Sequence, residues 1–221
     1  MQRQVSHALA APVETAHEFV RRQKVNHVDE TGWRECGHLN WLWVNATRQV
    51  TAFRIAPKRD SATAREVIGR AKTSIITTHR YLGYSWLATQ RRQVCWAHIK
   101  RDFQALSERA GESKEIGEKL LTQTKEVFRL WHEVKAGDLS RRKFQKLIAP
   151  VQQRVKELLD EASDCAHGKT RRMCRQLRTL EAGLWTFVRV RGVEPTNNDA
   201  ERALRCMQAA QHVQPQPAVV P

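Results

Sequence analysis

Two carboxylates, Asp29 and Glu201, sit in local sequences suited to presenting a metal-binding side chain. Asp29 closes the extended run Val25-Asn26-His27-Val28-Asp29, and the glycine in Glu30-Thr31-Gly32-Trp33 predicts a turn directly after it. Glu201 lies within Glu194-Pro195-Thr196-Asn197-Asn198-Asp199-Ala200-Glu201-Arg202-Ala203-Leu204-Arg205, which reads as a helix start. Thr196 or Asn197 can cap its free N–H groups, and Asp199 in the first turn suits the positive end of the helix dipole. Asn197, Glu201 and Arg205 then share one face at i, i+4 spacing.

Other chemistry-bearing residues carry weaker signals. Glu30 and Asp102 are further acids that could substitute as metal ligands, but an acid in an exposed turn is usually solvated, and that is the favoured reading for both. Cys95 and His98, and the trio Cys165, His167 and Cys174, lack a convincing zinc spacing, and Cys95 and Trp96 read as core residues. Lys169, Arg171, Arg172, Arg175 and Arg178 form a basic stretch free of acids, and Arg171, Arg175 and Arg178 fall on one helical face as candidate phosphate contacts. Arg141, Arg142, Lys143 and Lys146 make a shorter basic patch. Trp33, Trp41 and Trp43 could stack on unpaired bases, but packing against a sheet is the favoured reading.

The elements that must position these residues follow from periodicity. Ser6 to Arg22 predicts an amphipathic helix. Val25 to Asp29, Leu39 to Ala46 and Val50 to Ile55 predict three strands joined as antiparallel hairpins. Ser61 to Ile68 has a capping-box-like helix start, Ser74 to Thr78 is a β-branched buried strand, and Gln93 to Trp96 is a short strand leading into a helix over 97–109. Helical stripes then follow one another: Ile116, Leu120, Thr124, Val127, Trp131 and Val134; Phe144, Leu147, Val151, Val155 and Leu158, with Pro150 expected to kink or interrupt; and Met173, Leu177, Leu180, Leu184 and Phe187. The resulting organisation is an N-terminal helix over 1–22, a sheet region over 23–108, a helical insertion over 109–191, a helix bearing Glu201 over 192–207, and a disordered tail over 208–221.

The chain has 221 residues, 41% of them hydrophobic, enough for one large domain or two small ones. Its formal net charge of +15 favours a polyanionic partner, with nucleic acid ahead of an anionic membrane. Five cysteines without a CxxC pair fit reduced thiols in a cytoplasmic protein. Signal-peptide and membrane-spanning patterns are absent from the sequence.

The order strands, helix, strands, helical block, acid-bearing helix matches an α/β ribonuclease H-like mixed sheet with a helical insertion. Three blocks carry a closer resemblance: Val28-Asp29-Glu30-Thr31-Gly32-Trp33, Arg91-Arg92-Gln93-Val94-Cys95-Trp96-Ala97-His98-Ile99-Lys100-Arg101-Asp102-Phe103, and Thr196-Asn197-Asn198-Asp199-Ala200-Glu201-Arg202-Ala203-Leu204-Arg205. In this order they resemble the central catalytic domain of the insertion-sequence-66 transposase family, over roughly residues 5 to 206.

The resemblance implies an acidic triad that holds Mg2+ or Mn2+, DNA at transposon ends as substrate, and a cytoplasmic, nucleoid-associated protein that works as a homo-oligomer or with companion transposition proteins. The first acid falls on Asp29 and the last on Glu201. At the second position, where the family has Asp before Arg-Tyr, this chain has His79 before Arg80-Tyr81. An imidazole there removes a charge and two hard oxygens, so weak or absent magnesium-dependent cleavage is expected. The sequence also starts close to the first catalytic strand and leaves the family pattern after Arg205 for Cys206-Met207-Gln208 and a proline-glutamine tail, as a truncated, frameshifted transposase would. A non-catalytic DNA-binding or repurposed interaction protein is the alternative, and a general nuclease on the same fold is a third reading.

Overall fold

The computed structural model describes residues 2–35, 37–70 and 73–213, with the side chains of 7–35, 37–70 and 73–211. Its centre is a five-stranded mixed sheet of order β3-β2-β1-β4-β5. β1 (Val25–Glu35), β2 (His38–Ala46) and β3 (Thr51–Ala56) form an antiparallel meander. β4 (Ile75–Thr78) and β5 (Arg92–Val94) add to the other side of β1 in parallel. The strand that carries Asp29 is therefore central.

The turn expected at Gly32 is not there. β1 continues to Glu35, with Gly32 opposite Trp41, and the chain reverses at Gly37, where φ is +80°. The glycine at 32 lies within the ladder, and a Cβ added to it would meet the Leu39 side chain at 3.6 Å, an ordinary packing distance. Gly37 supplies the left-handed backbone the hairpin needs.

Both faces of the sheet are covered. On one, Val28, Trp43 and Ile76 pack with Ala64, Val67 and Ile68 of α2 (Ser61–Ile68), which Asp60 caps by accepting the Thr63 N–H at 2.9 Å. On the other, Leu42, Val44 and Ala46 meet Ala200 and Leu204 of α9 (Asn198–Val213). α1 (Gln2–Arg21) lies against β2 and β3. The period of two in a strand assigns Asn26, Val28 and Glu30 to the α2 face, and His27, Asp29 and Thr31 to the α9 face.

The helical block holds the largest core. α3 (Trp96–Ser107), α4 (Glu112–Ala136), α5 (Arg141–Ala162), α6 (Gly168–Thr179) and the short α7 (Glu181–Leu184) and α8 (Thr186–Arg189) share one buried apolar cluster that reaches Ile75 and Val94 of the sheet. The α4 stripe and the 173–187 stripe are buried as expected, with Val134 partly so. In α5, Leu147 is 42% exposed and Ile148 is buried in its stead, a one-residue shift of the inward face. Pro150 does not interrupt α5, because it stands on the exposed side, where water can take the carbonyl its missing N–H leaves free. Residues 208–213, read from sequence as disordered, continue α9, with Gln208 Nε2 donating to Thr31 Oγ1 at 2.8 Å. The remainder of the expected tail lies outside the described residues.

Candidate metal centre

Asp29 and Glu30 are adjacent on the central strand, so their side chains leave opposite faces of the sheet. His79 follows the last residue of β4 and reaches both of them midway along β1. Its Nδ1 is 3.3 Å from Asp29 Oδ1, and its Nε2 is 3.2 Å from Glu30 Oε1. The structure thus brings His79 against Asp29, the first acid expected from sequence.

Glu30 is not the solvated carboxylate its turn-like sequence suggested. Its side chain is fully buried, with Arg59 donating to Oε1 at 2.9 Å and the Tyr84 hydroxyl donating to Oε2. Burial pushes its pKa up, but the hydrogen bond and charge of His79, the Tyr84 hydroxyl and Arg59 together outweigh that and hold it below the usual range. Burial and the facing Glu30 carboxylate drive the Tyr84 phenol well above its ordinary pKa. Both oxygens of Glu30 are engaged, so this acid braces the site and offers little to a cation.

Asp29 is the opposite case. Burial raises its pKa to about 6, helped by the neighbouring charges of Glu30 and Glu201, against the lowering by His79 and the Glu30 N–H. Among the described residues, only that N–H, at 3.0 Å, donates a hydrogen bond to it. An acid so poorly compensated when ionised sits where a cation would relieve it.

Glu201 arrives from the far end of the chain. The Trp96 N–H donates to Pro195 O at 2.9 Å, tying the end of β5 to the segment before α9. Asn197 does not cap α9 with its side chain. Its amide instead donates to Val28 O at 3.0 Å and its Oδ1 faces His27 Nδ1 at 3.2 Å, while its own N–H donates to Cys95 Sγ at 3.2 Å. These bonds set α9 on β1 with Glu201 facing α3: Glu201 Oε1 is 3.4 Å from His98 Nδ1, 3.9 Å from Cys95 Sγ and 4.0 Å from Arg101 Nη2.

Among the described residues, two trios of metal-capable side chains result, Asp29, Glu30 and His79, and Cys95, His98 and Glu201. They adjoin through the rings of His79 and His98, whose centroids are 5.5 Å apart. Nδ1 of each histidine is buried without a hydrogen-bond partner, although each is near a carboxylate. Burial, Arg101 and His79 together lower the His98 pKa, and burial raises that of the Cys95 thiol.

The sequence reading named Asp29, His79 and Glu201 and read Glu30 as solvated, and Tyr84 and Arg59, which hold Glu30, gave no local signal. It also set aside Cys95 and His98 for lack of a convincing zinc spacing, and in the fold Glu201, 103 positions beyond His98, joins them as a third metal-capable side chain. Asp102, the other acid read as solvated, is paired with both Arg80 Nε and Nη2.

A sequence model described as "Transposase IS66 family" matches residues 1–214. The chain belongs to the IS66 transposase family. The match runs past Arg205, where the resemblance read from motifs had ended, and includes the whole described length of α9. Membership in this transposase family implies DNA as the substrate class and suggests the use of divalent metal. No curated protein and no solved structure matches the chain. Among the described residues, no helix is long and apolar enough to cross a membrane.

The candidate phosphate-binding arginines of the IS66 chain divide into two groups. Arg171 donates to Cys165 O, Arg175 donates to Ser163 O, and Arg178 pairs with Asp160 and Glu181. These three fasten α6 to the end of α5. Arg172 instead is exposed and lines a cleft of about 250 Å3 with Arg80, Arg109 and Lys169. His167, considered with Cys165 and Cys174, accepts the Thr170 N–H at the start of α6, and burial pushes the Cys174 thiol up to about 12. Trp43 is wholly buried and Trp41 and Trp33 pack against core clusters, as favoured from sequence.

Proposed function

We propose that this chain is a ribonuclease H-like transposase catalytic domain in which Asp29 and Glu201 are the metal-binding acids and His79 occupies the second acid's place. The observation that carries the reading is the position of His79. It follows the strand parallel to the central one, with one ring nitrogen against Asp29 and the other against Glu30. The sheet order β3-β2-β1-β4-β5 and the docking of α9 on β1 and β2 support the same assignment.

The donors fit magnesium poorly. Mg2+ requires a near-octahedral set of hard oxygens, usually including carboxylates. Here Asp29 and Glu201 are the available acids, Glu30 is taken by Arg59 and Tyr84, and an imidazole stands where a carboxylate would complete the site. Transposition uses water and then a DNA 3′-hydroxyl as nucleophiles, and two-metal sites stabilise both attacking and leaving oxygens. Asp29 and Glu201 would hold such cations poorly without a third carboxylate, so DNA cleavage with magnesium would be weak or absent while DNA binding through Arg172 and Lys169 persists.

The test is cleavage and strand transfer on a transposon-end duplex with Mg2+ or Mn2+, comparing the chain with His79→Asp. A gain of activity in His79→Asp supports a catalytic core disabled at one ligand. Equal strand-transfer rates in the two proteins refute the role given to His79, and DNA binding by both without cleavage favours a non-catalytic DNA-binding protein.

A further inference from the structure

At the opposite end of the parallel strands from the acids, a cavity of about 790 Å3 is lined by Arg21, Arg54, Arg65, Arg70, Arg91 and Trp86. Ser74, just before β4, is one of its lining residues, and His79 lies five residues further along that segment, roughly 16 Å away at the rise of a strand. The cavity is therefore separate from the acidic centre. Among the described lining residues the only carboxylate is Glu66, and it is already paired with Arg54 at 2.5 Å.

The walls are organised. Gly69 has φ +71° and ends α2 against Arg21, where an added Cβ would lie 2.9 Å from Arg21 Cδ. Arg21 Nη2 donates to Glu66 O at 2.9 Å and its Nη1 pairs with Glu14 at 3.1 Å, which fixes the guanidinium across the end of α2 and leaves Arg65 and Arg70 as the cavity charges to be tested. The Arg65 guanidinium lies 4.4 Å from the centroid of the Trp86 ring. Two donors on these fixed groups, Arg21 Nε and Trp86 Nε1, are buried and have no hydrogen-bond partner. Buried donors rarely go unpaired in folded proteins, and here both belong to residues lining a strongly positive cavity.

We propose that this cavity is a second DNA contact, a phosphate site in which the guanidiniums and the Trp86 N–H receive backbone phosphate oxygens away from the acidic centre. The chemistry is that of an anion with several acceptor oxygens, and guanidinium forks match phosphate geometry. The choice of DNA over a free polyphosphate rests on the transposase reading.

The experiment is binding of a fluorescent 30-base-pair duplex of arbitrary sequence as a function of salt, in chelator, so that neither metal nor cleavage enters. Arg65→Gln/Arg70→Gln is compared with Arg129→Gln/Arg154→Gln, which removes the same charge from surface arginines on α4 and α5 that are paired with glutamates. Loss of two phosphate contacts lowers the slope of log affinity against log salt by about 2. The cavity variant is expected to show that drop while the control keeps the original slope. Equal effects in both variants, or no effect in the cavity variant, overturn the proposal. Pyrophosphate that stabilises the original chain against heat but not the cavity variant, with duplex binding unaltered between them, assigns the cavity to a small polyphosphate and overturns the DNA assignment. Arg70→Gln alone, beyond the end of α2, replaces the double variant if that one fails to fold, with an expected slope change of about 1.

Discussion

Replacing Asp29 with Asn should stabilise the metal-free protein above neutral pH, and the size of the gain follows from the burial of this carboxyl. Its pKa rises from 3.8 to about 6 in the fold, chiefly through burial. At about 1.4 kcal/mol per pKa unit, ionised Asp29 is disfavoured in the folded state by about 3 kcal/mol. Below about pH 3.8 the group is protonated in both states, and the stabilisation of its neutral form is fully present. Between 3.8 and about 6 the unfolded chain releases the proton while the fold retains it, so stability falls as pH rises through this window and then levels off. Asn keeps an oxygen that can accept the Glu30 N–H now bound to Asp29 Oδ1 at 3.0 Å, but carries no charge. Urea denaturation in chelator, at half-unit steps from pH 4 to 8, gives the difference between Asp29→Asn and the unaltered chain. It should grow by about 2 to 2.5 kcal/mol between pH 4 and 7 and favour Asn at pH 8. A difference that is independent of pH, or Asn less stable at pH 8, would refute the description of Asp29 as a buried, under-compensated acid.

Three further substitutions probe the frame around the site. Tyr84→Phe removes the hydroxyl that donates to buried Glu30 Oε2 and should cost about 1–3 kcal/mol in urea denaturation, as expected for an acceptor left unsatisfied. Gly117→Ala drives a Cβ into Ser107 N and to 2.8 Å from Leu106 C, so α4 must move off α3. A loss of about 1–3 kcal/mol or more should appear in thermal melting, and an unchanged melting temperature would contradict the close approach. Asn197→Ala removes the bonds to Val28 O and His27 that dock the start of α9. Faster amide hydrogen exchange over 198–204 than in the unaltered chain is the expected result.

The parts of this molecule that were legible in the sequence are those set by local pattern. The three-strand meander could be read from β-branched and aromatic runs at hairpin spacing, and the helical block from stripes whose apolar residues face one core. Gly32 misled because glycine permits a turn without requiring one, and the ladder with β2 extends through it. Leu147 and Ile148 are adjacent apolar residues, so periodicity alone left the inward one undecided. The buried state of Glu30 was not legible, because it is produced by Arg59 and Tyr84, 29 and 54 positions away. In the same way Cys95 and His98 gain a third ligand-capable neighbour only when α9 folds back against α3. The helix start that carries Glu201 was legible in its local sequence, whereas the strand end read at Asp29 was not there, since β1 runs on to Glu35. Three of the four arginines read as phosphate contacts formed a coherent face, yet that face closes onto the end of α5.

The central claim is that the acidic centre lacks one hard ligand for magnesium at His79. Isothermal titration calorimetry with Mg2+ tests it directly, on the unaltered chain and on His79→Asp, without DNA. The account predicts at least about tenfold tighter Mg2+ binding by His79→Asp, because a second available carboxylate then faces Asp29. Equal Mg2+ affinity in the two proteins would contradict it.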